Sequence, residues 1–330
     1  MLDNLTAAPV DIKWHPGLPI YASERFLRVV GDEYGWLGGV DNSGRLRCIL
    51  PFTVIRKAGF RFVRFRVETL PLEGELDMGE EQAFLKSVVA YFRSNQSDVI
   101  VPSGNTAIFR TYPDGAESAP YGTFINDLSQ SEDALMGEIR PTYRHNIRKA
   151  INAGVKISCS LEYIDTAYQL IAETLKRSGV DFHALSEFRN RILCFGDHVK
   201  IFVAEHGGVV QACMVAPFSQ YAAYNCYAGS RPEPVLGAMH LLHWEAIRHF
   251  RALGIRRFDF QGVRINPEMQ SKQEGIMHYK KGFGGKLVQG YVWKCSLRPV
   301  RSAAYSLAVR LFKGGDIVDQ EHSRLIAQRR

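Results

Sequence analysis

The sequence predicts an α/β protein of two related domains, each a mixed sheet flanked by helices. Three observations point there. The chain has 330 residues, about twice the ~150 of a typical domain. A strand–turn–strand pattern occurs once in each half. Helical segments with one apolar face follow each pattern.

In the first half, Tyr34 to Val40 is apolar, Asp41-Asn42-Ser43-Gly44 is a turn cluster, and Leu46 to Ile55 is strand-like, which together signal a hairpin. Gly79 to Ser94 is helical, with Phe84, Val88 and Tyr91/Phe92 on one face. Val99-Ile100-Val101 is a short buried strand. Tyr112 to Phe124, rich in Gly, Pro and Ser, is expected to be a loop. The second half repeats the grammar: Ile201 to Glu205 and Val209 to Phe218 flank the turn His206-Gly207-Gly208. Both hairpins end in Pro-Phe, at Pro51-Phe52 and Pro217-Phe218, an approximate internal repeat.

Leu135 to Gly154 joins the halves, with a helix that has Pro141 in its first turn and Gly154 at its stop. Tyr168 to Gly179 is a further helix. Gly237 to Leu253 is the clearest amphipathic one, with Met239, Leu242, Ala246, Phe250 and Leu253 at helical spacing. Arg256 to Phe260 is the next strand. In the tail, Val300 to Phe312 carries an apolar face. It is expected to dock back on the first domain, with a membrane-surface helix as the alternative. The expected division is 1–140 for the first domain, 141–299 for the second and 300–330 for the C-terminal helix.

Composition narrows the class. With 46% hydrophobic and 23% charged residues the chain reads as folded. No stretch reaches the ~20 apolar residues of a spanning helix. Met1 to Val10 lacks the build of a signal peptide. The expected location is cytoplasmic, with peripheral contact at the inner face of the membrane as an addition. Six scattered cysteines without a CxxC pair read as buried reduced thiols. The excess of 41 basic over 34 acidic residues, +7, favours an anionic partner: nucleotide phosphate, tRNA or an anionic lipid surface. The sequence has no P-loop, dinucleotide fingerprint, nucleophile elbow or HExxH. His240 and His243 lie three apart on one helix, but no carboxylate completes a zinc site, so structural histidines are expected.

Three segments stand out together: Arg140 to Gly154 (RPTYRHNIRKAINAG), Tyr224 to Ser230 (YNCYAGS), and Phe258 to Gly262 (FDFQG) followed by Tyr279 to Gly285 (YKKGFGG). Their order resembles the FemABX family of peptidyl or aminoacyl transferases, relatives of the acyl-CoA N-acyltransferases with GNAT-type folds. Asn146 to Ala150, Tyr227 to Ser230, Leu241 to Ile247, Phe258 to Gly262 and Tyr279 to Gly285 carry the resemblance, dense in the second half and loose in the first. It implies two tandem GNAT-like acyltransferase domains with a cleft between them. It implies an activated acyl ester donor, aminoacyl-tRNA in the type members, and an acceptor amine on a peptidoglycan precursor. It further implies no metal, no bound cofactor and no covalent enzyme intermediate. The long helical hairpin of some members is absent from this sequence.

By that resemblance Lys280, Tyr227 and Asp259 are the catalytic candidates, and Arg144, Arg148, Lys149, Lys281, Ser230, Gly284 and Gly285 the substrate-binding ones. The chemistry fits. An amine attacking an ester builds an oxyanion, which a lysine in a glycine-rich segment can stabilise. Lys280 and Lys281 otherwise read as solvated lysines beside a turn. Arg144, Arg148 and Lys149 offer cationic donors to phosphate, or form a solvated helix face. Tyr227 positions an acceptor through its hydroxyl, or is a strand aromatic. Asp259 is a base or an orienting carboxylate, or bonds a neighbouring loop.

The partners expected are aminoacyl-tRNA and a nucleotide- or lipid-linked envelope precursor, with transient membrane-surface contact and no DNA. The alternative is an acyl-CoA-dependent N-acyltransferase acting on an amino sugar or amino acid in polysaccharide assembly. Such enzymes cradle pyrophosphate with an [QR]xxGx[GA] turn at a helix N-terminus. Here Pro234 stands where Gln or Arg is needed, and Met239 replaces the final small residue. A third reading is a non-catalytic RNA- or envelope-binding protein.

Overall fold

The computed structural model describes residues 5–102, 104–313 and 315–328. Its first half runs β1 (Thr6–Val10), α1 (Glu24–Val30), β2 (Glu33–Val40), β3 (Leu46–Lys57), β4 (Phe60–Phe65), β5 (Leu70–Pro71), α2 (Met78–Ser94) and β6 (Val99–Ile100). Then come β7 (Glu117–Asp127), α3 (Glu132–Glu138), α4 (Pro141–Asn152), β8 (Lys156–Cys159), α5 (Ile164–Lys176), α6 (Leu185–Leu193), β9 (Val199–His206) and β10 (Val209–Pro217). The chain continues through β11 (Ala223–Tyr224), β12 (Tyr227–Ser230), α7 (Ala238–Ala252), β13 (Arg257–Asp259), β14 (Val263–Arg264), α8 (Lys272–Lys281), β15 (Lys286–Ser296), α9 (Pro299–Lys313) and α10 (Ile317–Gln328).

The strands form two sheets, a large mixed one and a smaller one that is antiparallel throughout. One has 11 strands, with the path β1-β2-β3-β4-β6-β15-β7-β13-β11, β5 beside β3 and β14 beside β7. The other has four, in the order β12-β10-β9-β8. Both expected hairpins form: β2 with β3, and β9 with β10, each antiparallel. The repeat is inexact, because β3 runs on past Pro51-Phe52 to Lys57 while β10 ends at Pro217.

Three large cores, with a small fourth of Ala119, Tyr121, Val292 and Val318, hold the layers. Under the first-half strands, Phe84, Leu85, Val88 and Phe92 of α2 meet Leu37, Leu50 and Val63. An Asp77–Glu80 capping box starts that helix. A second core joins the halves: Ile20, Tyr21 and Trp36 pack with Leu170 and Ile171 of α5, Phe188 and Ile192 of α6, and Val203 and Val215 of β9 and β10. The third gathers Phe124, Ile147, Met214, Leu242, Phe250, Phe258 and Phe283 around α7.

The segment expected to be a loop, Tyr112 to Phe124, is largely strand: β7 begins at Glu117 and lies inside the large sheet. Pro120 misled the reading, since proline removes a ladder donor. The register explains its tolerance. Pro120 faces Tyr291, whose backbone N–H and C=O bond Phe109 on the other side. On the opposite flank β14 reaches only to Tyr121.

β15 pairs with β7 along most of its length and with β6 at Cys295 and Ser296. The end of the chain thus returns to first-half strands. α9 follows, and Arg301 Nε donates to Asp98 Oδ1 at 2.6 Å while Ser302 Oγ donates to Asp98 O at 2.9 Å. Tyr305 packs on Phe62, with ring centroids 4.7 Å apart. A further helix that the sequence reading lacked, α10, lies against β7 and β15. There Lys294 Nζ bonds Asp319 Oδ1 at 2.7 Å, and Arg264 Nε meets Glu321 Oε1 at 2.9 Å. Among the described residues no helix is long and apolar enough to cross a membrane.

α4 crosses the start of α7 closely. Gly237 caps α7 with φ +87°, and a Cβ there would fall 2.0 Å from Asn146 O. Gly254, after the same helix, also has positive φ (+75°) but open space beside it. Gly254→Ala therefore costs only the left-handed strain, about 1 kcal/mol. Gly237→Ala adds overpacking against α4 and costs about 3 kcal/mol or more. Urea unfolding of the two variants checks this, and equal losses would contradict the close crossing.

Candidate active site

β13 delivers Asp259 to its end, and Phe260-Gln261-Gly262 turns the chain into β14. Gln261 has φ +54°, a costly conformation for a residue with a side chain. Its backbone N–H and C=O and its side-chain NH2 are bonded around it. Its N–H donates to Asp259 Oδ1 at 2.6 Å, and Nε2 donates to Tyr21 Oη at 2.6 Å. Its carbonyl accepts from Lys280 Nζ, as does the Gly262 carbonyl at 2.8 Å. A side chain at Gly262 would fall 2.3 Å from Asn105 Oδ1, so the turn lies flush against the 104–106 loop of the first half.

Lys280 reaches this turn from the last turn of α8, which starts at Ser271, whose Oγ accepts from the Glu274 N–H. Next to it in sequence, Tyr279 anchors the helix in an aromatic cluster with Tyr143, His240, His243 and Phe283. His243 is buried and held by neighbours: Nδ1 lies 2.9 Å from Met239 O, and Nε2 lies 3.0 Å from Asn225 Nδ2. Burial pushes its pKa down to about 4, so the ring is neutral, as expected of a structural histidine.

Partial burial shifts both charged groups at the turn. Burial lowers the Lys280 pKa to about 8, opposed by the Asp259 charge. Burial raises Asp259, against the hydrogen bonds from Thr123 Oγ1 and the Gln261 N–H. Lys280 and Asp259 are thus brought together, each bonded to the same turn.

The other sequence candidates lie elsewhere. Tyr227, on β12, packs edge-on against Phe182 and Phe188, and burial raises its hydroxyl. Ser230 uses its backbone to bind Thr174 and Arg177 at the end of α5. Arg144 donates to Gly137 O at 2.8 Å, closing the end of α3. Arg148 and Lys149 are exposed on the outer face of α4, whose inner face buries Ile147 and Ala150. Lys281 is exposed at the end of α8. Room beside Gly284 is filled by Glu138, 2.5 Å from where a Cβ would stand, and Gly285 lies against Asn126 and Ile125.

A second charged group escaped the sequence reading. Arg66 is buried, donating to Val30 O at 2.6 Å and Thr53 Oγ1 at 3.0 Å. Burial, then the charges of Arg64 and Arg191, push its pKa down to about 9. Arg64 keeps a buried Nε with no partner. Among the described residues neither guanidinium has a carboxylate partner. The alternation Phe60-Arg61-Phe62-Val63-Arg64-Phe65-Arg66 was the available signal, since it puts Arg64 and Arg66 on one side of β4.

Residues 138–281 match the family described as the acetyltransferase (GNAT) domain. No curated protein matches the chain in sequence. Among solved structures it is similar to FemX, with TM-score 0.63 and 14% identity over 89% of this chain and 94% of that one. The C-terminal domain of a putative lysylphosphatidylglycerol synthetase from Agrobacterium fabrum gives TM-score 0.50 and 13% identity, over 89% of this chain and 98% of that one. A conserved protein of unknown function from Bacteroides thetaiotaomicron gives TM-score 0.51 and 11% identity, over 84% and 90%. Residues 138–281 carry an acyltransferase domain of the GNAT kind, within a mixed α/β architecture that spans the chain. Its particular form is FemX-like, as the ordered motifs implied.

The depressed Lys280 pKa has a consequence for stability. The unfolded chain keeps this proton up to about pH 10.4, whereas the folded protein releases it near about 8. The unfolded state therefore binds more protons between these values, and stability rises with pH across that window. Lys280→Met should remove a rise on the order of 1 kcal/mol. Urea unfolding at both ends of the window, in wild type and variant, measures it. An identical pH dependence in the two would place the ammonium in solvent.

Proposed function

We propose that the protein transfers an aminoacyl group from an activated ester, aminoacyl-tRNA being the donor that the FemX-like fold favours, to an amine of a cell-envelope precursor. The observation that carries this reading is the Lys280 ammonium, desolvated beside Asp259 and aimed by two backbone carbonyls. A charge so held costs no reorganisation when an oxyanion develops beside it. Gln261 and Gly262 orient Lys280, and Asp259 fixes Gln261. Positioning, without a covalent intermediate, is all that aminolysis of an ester requires of these residues.

The acceptor is read from the arginines. Arg64 and Arg66, uncompensated by carboxylates, suit the phosphate of a nucleotide- or lipid-linked precursor. Arg148 and Lys149 remain free to hold a second anionic surface such as tRNA. The tail helices α9 and α10 are engaged by the large sheet, which supports docking over a membrane-surface role for them.

The turn before α7 supports the ester donor over acyl-CoA. A pyrophosphate cradle needs free backbone N–H groups. Pro232 and Pro234 have none, the Arg231 N–H bonds Gln211 O, and the Val235 N–H bonds Gln211 Oε1.

Lys280→Ala should lower kcat about a hundredfold, with a smaller effect on KM, because the contact strengthens in the transition state. Ribonuclease treatment of the donor pool should stop transfer, and acetyl-CoA should not restore it. Transfer with acetyl-CoA alone would establish the acyl-CoA alternative. Unaltered turnover in the alanine variant would remove Lys280 from the site.

A further inference from the structure

A cavity of about 40 Å³ opens where the two halves meet, lined by Glu68, Asn105, Tyr221, Tyr224, Arg257 and Asp259 among others. We propose that it binds a primary ammonium group of a substrate. The identity of that substrate rests on the aminoacyl-transfer reading; the site itself does not.

The acceptors are in place and lack donors. Asp259 Oδ1 takes hydrogen bonds from Thr123 and Gln261, leaving Oδ2 without a protein donor among the described residues. The Glu68 carboxylate is half-buried in the cavity wall, and among the described residues no other residue donates to it and no cation stands within ion-pair distance. A partly desolvated carboxylate without a protein donor is open to the N–H of a ligand. Arg257, the one basic residue lining the cavity, is drawn to Tyr221: its Nη1 donates to Tyr221 Oη at 3.3 Å, and its guanidinium carbon sits 5.1 Å from the ring centre.

Size and walls select the ligand. About 10–15 Å³ of such space admits one water-sized group. The cavity therefore takes an ammonium head, and excludes a quaternary one. An ammonium offers three N–H donors, matching two carboxylates and the tyrosine oxygens. The Tyr221 and Tyr224 rings add faces that attract cations. Among the described residues no group of three or more imidazole, thiol or carboxylate side chains is gathered that could hold a metal ion.

The cavity adjoins the chemistry through one residue. The Gln261 N–H holds Asp259, and the Gln261 carbonyl holds Lys280. The charges facing Glu68 are Asp259 and Glu81, which repel it, and Arg257, which attracts it. Burial and the Asp259 charge raise its pKa to about 7. Two substrate amines have this chemistry: the α-ammonium of an aminoacyl donor, and the side-chain-like amine of the acceptor.

Calorimetry with the full chain tests the site using glycinamide, n-butylamine and tetramethylammonium. At least one primary amine should bind wild type, at least about tenfold more weakly to Glu68→Gln, while tetramethylammonium binds neither. Preference for glycinamide points to the donor, and preference for n-butylamine to the acceptor. Should Glu68→Gln fail to fold, wild type decides through pH, because binding should weaken between about pH 7.5 and about pH 5.5 as Glu68 gains its proton. Primary amines that do not bind, or binding indifferent to both Glu68→Gln and pH, would overturn the proposal. Either result leaves the ribonuclease outcome untouched, and loss of RNA-dependent transfer leaves amine binding untouched.

Discussion

The segment Ala223–Ser230 changes sheets midway, and the contents of the site follow from that change. Ala223 and Tyr224 pair in parallel with Phe258 and Asp259 of β13. Tyr227 to Ser230 pair antiparallel with β10 in the other sheet. At the join, the Asn225 N–H still bonds Asp259 O while the Cys226 N–H already bonds Val215 O. Two strands that part in this way leave backbone and side chains facing a notch instead of a neighbour. Tyr21, from the first half, packs there against Tyr224 at 4.9 Å and Phe195 at 5.9 Å. Its hydroxyl is the partner that fixes the side chain of Gln261.

The strained turn is stable because several groups determine it at once. A side chain at φ +54° costs on the order of 1 kcal/mol. Against that stand bonds from Gln261 to Asp259, Tyr21 and Lys280, and the wall that Asn105 presents to Gly262. Each of these partners comes from a different part of the chain. Lys280 is aimed by carbonyls of its own half, while Tyr21 and Asn105 tie the same turn to the first half.

Much of this was legible in the sequence, and the reasons for the rest are physical. Hairpins around Asp41–Gly44 and His206–Gly208 declare themselves through local turn chemistry. The FDFQG and YKKGFGG segments declare Asp259 and Lys280 through their order along the chain. β7 was hidden because Pro120 reads as a breaker until its register opposite Tyr291 is known. Tyr21 could not be found locally, since its partner Gln261 lies 240 positions away. Glu68 gives no signal either, because a single glutamate in a polar stretch is ordinary until folding half-buries it. The glycines of YKKGFGG were read as openings for substrate, whereas the protein itself fills the space beside Gly284 with Glu138.

The stretch from Phe60 to Thr69 carries the charges to which the proposed function gives substrate contacts. Arg64 and Arg66 lie on one side of β4, and Glu68 follows two residues later on the same continuous run. Arg66 is tied back to Val30 and Thr53, and Glu68 stands in the cavity wall. On the proposed reading, this one strand and the loop after it carry both the arginine offered to a phosphate and the carboxylate offered to an amine.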